Sequence, residues 1–269
     1  MLYEMTTPEN ELIWLRPEPG GRRPRLSREH IAAAALRIAD AEGFEAVTMK
    51  RIATELGVGT MTLYYYVRTK SDILALMHDA ILADIIVPEP DSPYGWRDAL
   101  TAISRATRNV MLEHAWSLAS LDDAQFGPNA MRHYEQSLAA LAHTTLSPSD
   151  KIALLTIVDD YVVGNAVHSA EALSRSKAAT ADPTLVADAI AFGSRQLETG
   201  SFPHLKALYD QQMAGSDQNA AGTPSESPAP AMEPEALAEQ FELGLQSLLD
   251  GLTTRMRISE PAVPAETRS

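Results

Sequence analysis

Between Gly59 and Lys70 the chain reads GTMTLYYYVRTK, a run of hydroxyls, one thioether and a terminal ammonium. These groups donate and accept hydrogen bonds and neutralise phosphate; they contain no nucleophile–base pair. On a helix from about Thr60 to Val67, turning about 100° per residue, Leu63 and Val67 lie about 40° apart and define the inner side. Tyr65 lies about 200° from Leu63, with Met61 and Thr62 beside it, and Tyr64 and Tyr66 fall on opposite flanks. Thr60, as the expected N-cap, projects from the helix tip. Outermost residues of such a helix can read base edges or a thymine methyl in a major groove. The flanking tyrosine hydroxyls can reach phosphates on either wall. Lys70 and the free amides near Ser71 and Asp72 make a phosphate site at the next helix start. The plain alternative is that the tyrosines pack and the threonines cap. Three adjacent tyrosines span about 200° of a helix, so they are not all internal.

The elements that must hold this stretch are legible on either side. Thr48 caps a short helix carrying Ile52, Ala53 and Leu56, and Leu56-Gly57-Val58-Gly59 joins it to the tyrosine helix in a helix-turn-helix pattern. Lys50 and Arg51 sit early in that short helix, where such a motif crosses the DNA backbone. A first helix starts at Ser27, repeats Ile31, Ala34, Ala35, Ile38 and Ala39 at helical spacing, and stops at Gly43. Ser71 is the expected cap of a fourth, with Ile73, Leu74, Leu76, Met77, Ile81 and Leu82. The arm Arg22-Arg23-Pro24-Arg25 precedes them all and could reach an adjacent groove. Charge follows the same division: residues 20–70 carry +4, residues 1–19 carry −3 and residues 71–269 carry −15, for a net −14. The average argues against general nucleic-acid binding, but a small basic head sits on an acidic body.

The segment TMKRIATELGVGTMTLYYYVRTK, Thr48 to Lys70, closely resembles the DNA-binding region of the tetracycline-repressor (TetR) family. The likeness spans about residues 26–86, including LSREHIAAAALRIADAEGFEAVTM before it and KSDILALMHDAIL after it. Gly127-Pro128-Asn129-Ala130 with Glu135, Leu138 to Leu141 and Leu146 to Asp150 are similar to the C-terminal domain of the branch nearest the tetracycline repressors. The resemblance implies a dimer that binds a palindromic operator and is released by a ligand in the body. It implies DNA contacts at Thr48, Lys50, Thr60, Met61, Thr62, Tyr64, Tyr66 and Lys70. Tyr65 packs in some members and contacts DNA in others, and the helical wheel favours contact. Tyr66 replaces a histidine common in the family, and Met61 a residue often polar or proline.

The expected fold is all-α: an N-terminal three-helix helix-turn-helix domain and a C-terminal helical domain for ligand binding and dimerisation. The expected divisions are a tail at 1–20, the DNA-binding head at 21–70, a connecting helix at 71–90, the body at 91–258 with a low-complexity, disordered linker at 212–234, and a tail at 259–269. Ser92-Pro93, Gly127-Pro128 and Ser147-Pro148 each start a helix, with proline where its missing N–H costs nothing. The helix after Pro148 (Ile152, Leu155, Val158, Val162, Val163, Val167) and the last one (Leu237 to Leu252) are the expected dimer helices; the alternative is that both complete a monomer core. His114, Trp116, Phe126, Tyr134, Tyr161, Asn165 and His168, polar-tipped or aromatic among apolar neighbours, suit a small-molecule cavity. Asp159 and Asp160 interrupt an apolar helix, where Asp160 could meet a cationic ligand, a partner's arginine, or serve as a cap. No metal or cofactor is expected. The chain has no cysteine, which removes disulfides and thiolate chemistry. It shows no secretory leader and no membrane-length apolar run. A cytoplasmic, nucleoid-associated protein is the expectation, with a DNA operator, a second copy and an unidentified effector as partners. An enzyme is the competing class; the usual nucleophile-elbow, zinc, Walker and dinucleotide motifs are absent, and the seven histidines never pair at metal spacing. An architectural DNA binder would need far less than this body.

Overall fold

The computed structural model describes residues 11–18, 26–85, 95–123, 125–219 and 233–259. Ten α-helices occupy most of them, and there is no strand among the described residues. The arm residues Arg22, Arg23 and Arg25 lie outside them.

The head forms where its punctuation places it. Helix α1 (Arg28–Glu42) starts on Ser27, whose Oγ accepts the His30 amide, and ends on Gly43 at φ 90°. Helix α2 (Met49–Leu56) starts on Thr48, whose hydroxyl accepts the Arg51 amide, and stops at Gly57 in the left-handed region, φ 64°. Left-handed backbone costs a residue with a Cβ about 1–2 kcal/mol, which is why glycine stands there. Two expectations are corrected. Helix α3 is only Thr60–Leu63, capped by Gly59 and not by Thr60, and residues 64–66 continue as turns. Helix α4 (Lys70–Leu82) is capped by Thr69 and not by Ser71: Thr69 Oγ1 accepts the Asp72 amide while the Asp72 carboxylate accepts the Thr69 amide, a reciprocal capping box.

Ile31, Ile38, Ile52, Leu63, Val67, Ile73 and Met77 close the head core. Ile13, in the N-terminal stretch Leu12-Ile13-Trp14-Leu15, joins them at 0% exposure, while Leu12 and Leu15 stay exposed. Helix α5 (Trp96–Glu113), a run of 3₁₀ turns over Ala115–Asp123, and α6 (Pro128–Ala140) follow. The first of these begins at Trp96 on a Gly95 cap; Ser92-Pro93 lies outside the described residues. Gly127-Pro128 and Ser147-Pro148 do open α6 and α7 (Pro148–Ala181).

The chain divides into two compact units, residues 1–167 with 243–269, and residues 168–242. In the first, α7 buries Leu154, Leu155, Val158 and Val162 but leaves Ile152 and Ile157 exposed, so only one face of the long apolar helix is internal. On α10 (Pro234–Met256), Leu245, Leu249 and Leu252 are likewise buried within the chain, while Leu243 points out. Each of these two helices thus gives one face to the core of the chain and carries exposed apolar residues, Ile152, Ile157 and Leu243, outside it. The second unit contains α8 (Pro183–Glu198) and α9 (Pro203–Asn219). Helix α9 runs on to Asn219, so residues 212–219, expected in a disordered linker, are helical; 220–232 lie outside the described residues. Leu185, Phe192, Leu205, Leu208 and Met213 of this unit are exposed.

Ile13→Ala is expected to destabilise the protein by about 2–5 kcal/mol, the cost of a core truncation, read by chemical denaturation. A tail that merely rests on the surface would leave the midpoint unchanged.

Candidate nucleic-acid interface

The short α3 puts its side chains where a groove-binding surface needs them. Leu63 and Val67 are fully buried, which fixes the rotation of the segment. Met61 and Tyr65 then project outward at 74% and 77% exposure, with Thr62 exposed beside them. Tyr64 is 45% exposed on one flank. Tyr66, on the other flank, is half-buried and packs against the head core, and its carbonyl accepts Arg28 Nε at 3.4 Å. Its place about 60° from Leu63 on the helical wheel leads to this half-burial. Thr60 is half-buried at the start of α3, and Thr48 and Lys50 are exposed on α2. The Thr48 oxygen is used as a cap acceptor, which leaves its O–H free to donate to a phosphate.

Charge on this face is selective. Lys50 makes no ion pair among the described residues, whereas Arg51 is held by Glu42 at 2.6 Å and Glu55 at 3.0 Å. Glu42 draws the Arg51 guanidinium upward in pKa, and Arg51 in turn draws the Glu42 carboxyl downward. Arg51 therefore stiffens α2 against α1 while its neighbour Lys50 remains available. Lys70 Nζ sits 4.9 Å over the Phe44 ring, a cation–π contact that places the ammonium at the edge of the face. At the α4 start, Asp72 Oδ2 already accepts the Arg68 amide at 2.7 Å and the Thr69 amide at 3.2 Å. The anion site expected near Ser71 and Asp72 shrinks to the Lys70 and Ser71 amides.

The residues expected to line a ligand cavity do not come together as one set. His114 caps the end of α5 and its Nδ1 lies 3.0 Å from Asp40 Oδ1 on α1. Trp116 stacks parallel to Phe44 with ring centroids 6.0 Å apart and meets the His78 ring edge-on at 5.3 Å. His114 and Trp116 are junction residues between head and body. Phe126 and Tyr134 form an exposed edge-to-face pair at 6.4 Å. Asn165 Oδ1 accepts Arg108 Nε at 2.8 Å, the half-buried Tyr161 packs at Gly244, Asp160 is exposed, and His168 is exposed in the second unit.

Two ionisable groups outside that set, on α6 and α7, influence one another's titration. Asp159 on α7 is exposed and His133 on α6 is half-buried. Even so, burial pushes the Asp159 carboxyl up, partly offset by attraction to His133 and reinforced by Asp160. Burial likewise pushes the His133 imidazole down, against the pull of Asp159. His133 does not stand out in the sequence, because one histidine on a mixed helix carries no pattern, whereas Asp159 stands out as a break in an apolar helix. Among the described residues no group of three His, Asp or Glu side chains could hold a metal ion, and no helix is long and apolar enough to cross a membrane.

Residues 31–77 match the model of the bacterial regulatory proteins of the tetR family, and residues 89–222 match the tetracyclin repressor-like C-terminal domain. The HTH-type transcriptional repressor DrrR1 of Streptomyces coeruleorubidus is 31% identical over 249 residues, which covers 90% of this chain and 83% of that protein. An HTH-type transcriptional regulator of Saccharopolyspora erythraea is 34% identical over 165 residues, 61% of this chain and 69% of the relative. Among solved structures, the Streptomyces coelicolor TetR family protein ActR in complex with actinorhodin is 26% identical, with a TM-score of 0.62 over 87% of this chain and 99% of that one.

Tyr65→Ala is expected to weaken DNA binding without moving the melting temperature, while Tyr66→Ala lowers both. Equal thermal losses for the two variants would contradict the placement. For Asp159 the folded-state pKa lies above the unfolded one, so its contribution to stability is present at low pH and lost as pH rises through the raised value. Asp159→Asn is therefore expected to gain melting temperature over the parent at neutral pH and little near pH 3. A uniform offset at both pH values would refute this.

Proposed function

This chain belongs to the tetracycline-repressor family of transcriptional regulators, and from that premise we propose that it is a repressor that grips a palindromic operator as a homodimer and lets go when a small molecule enters its body. One observation carries the reading: Met61, Thr62 and Tyr65 are held outward by the buried Leu63 and Val67, on an exposed face with the uncompensated Lys50 and with Lys70. Met61, Thr62 and Tyr65 meet base edges in the major groove; Thr48, Lys50, Tyr64 and Lys70 meet phosphates. Thr60 positions the helix tip, and Tyr66 contributes packing and, through its hydroxyl, a contact at the rim. Arg22, Arg23 and Arg25, the basic arm of the sequence, add positive charge for phosphate contacts.

Two half-sites a helical turn apart, about 34–36 Å, call for two-fold symmetry. The single chain leaves Leu185, Phe192, Leu205 and Leu208 exposed on α8 and α9, and Ile152, Ile157 and Leu243 elsewhere. Apolar surface of that extent is uncommon on a monomer, and a second copy is the natural cover. The DNA-binding role falls to about residues 21–70 and the sensing and pairing roles to about 91–258. Asp159, exposed on α7 and attracted to His133 on α6, supports an effector site in the body that favours a ligand with a cationic or hydrogen-bond-donating group. ActR, the similar protein solved in complex with actinorhodin, supports a small-molecule effector. The protein acts as a regulator with no catalytic step, at the nucleoid.

The test is a gel shift against the DNA upstream of its own gene, repeated across salt. Binding is expected to fall steeply with added salt, despite a sequence pI near 4.9, because the contacting face is locally basic. A flat salt response, or no bound fragment, would overturn the reading.

A further inference from the structure

The N-terminal segment 11–18 does more than complete the core. Ile13 is buried among the head helices, and the Arg16 guanidinium, itself buried, pairs with the Asp72 carboxylate. Arg28 Nη1 donates to the carbonyls of Ile13 at 2.9 Å and Arg16 at 3.0 Å, while its Nε reaches the Tyr66 carbonyl. Glu18 Oε1 accepts the Arg28 amide at 2.7 Å. One side of the segment is thereby tied to α1, to the end of the recognition segment and to the α4 start.

Its other side reaches the body. A Cβ on Gly127 would lie 2.6 Å from a Trp14 ring carbon and would also strike the Asp79 carboxylate, so Trp14 and Asp79 close directly on the chain at the α6 start. Asp79, on α4, accepts the Asn129 and Ala130 amides at 3.0 Å each and caps α6 from outside. Trp14 thus rests on the joint where α4 holds α6.

We propose that residues 11–18 form a coupling strap that carries the state of the DNA-binding face to the first turn of α6, with Arg16 as its anchor on the head and Trp14 as its bearing on the body. Any coupling it carries acts equally in both directions: what DNA does to α6, a ligand beside α6 does to DNA affinity. The strap rests on the DNA-binding reading above, and the test separates the two.

The test is hydrogen exchange of the full-length protein with and without a duplex selected by that protein from a random pool. In the parent, DNA is expected to slow exchange of the Asn129 and Ala130 amides on the order of 5- to 150-fold, the ordinary range of site-to-site coupling. Trp14→Ala is expected to bind the same duplex and lose that slowing, and Trp14→Phe to keep part of it. Gly127→Ala, which disturbs the joint from the body side, is expected to lose it as well, so the result does not depend on one variant folding. Slowing that persists in the Ala variants, or none in the DNA-bound parent, would overturn the strap alone. Selection that yields no duplex would overturn the DNA-binding reading and the strap with it.

Discussion

The buried carboxylate of Asp72 is the interaction on which the head depends. It accepts the Arg68 and Thr69 amides, completes the cap of α4 and takes the Arg16 guanidinium. Breaking a buried pair from one side typically costs about 3–5 kcal/mol, because the remaining charge stays uncompensated. Here the carboxylate also sets where the turn after Tyr66 ends and where α4 begins. A four-residue recognition helix has almost no stability of its own. It keeps its orientation because Leu63 and Val67 anchor it from below and Asp72 anchors the chain just past it. The tail supplies the counter-charge, so a segment that looks peripheral holds the DNA-binding face in register.

A second constraint acts where the head meets the body. Lys70 lies over Phe44, Phe44 stacks on Trp116, and Trp116 meets His78, which is hydrogen-bonded to Ser120 at 2.9 Å. His114 and Asp40 close the other edge of the same junction. The head is therefore built against the body by aromatic stacking and short polar contacts that tolerate little relative displacement. A ligand that altered the packing around α6 would be felt at these contacts and at the Asp79 cap.

Much of the head was legible from residues. Ser27, Gly43, Thr48 and Gly57 are punctuation with local causes, and each acts where its chemistry says it should. Leu63 and Val67 fixed the inward side of the tyrosine segment, so the outward placement of Met61, Thr62 and Tyr65 followed from rotation alone. Tyr66, about 60° from Leu63, is half-buried as a flanking residue is, although the regular helix stops at Leu63. Thr69 over Ser71 as cap was a choice between adjacent hydroxyls that only the Asp72 partner resolves. The tail and the junction were illegible for a different reason. Arg16 with Asp72, and Trp116 with Phe44, are pairs far apart in sequence, and no periodicity links them. His114 and Trp116 read as pocket residues because polar-tipped aromatics suit a ligand wall and an interdomain joint equally well. The α10 leucines show the same ambiguity: a helical seam looks alike whether it meets its own core or a second copy.

The most direct test of the account is a hydroxyl-radical and methylation-interference footprint of the full-length protein on its selected duplex. The outward face of α3 predicts two patches of major-groove interference on one side of the DNA, centred one helical turn or a whole multiple apart. A single patch, or interference confined to the minor groove, would contradict it.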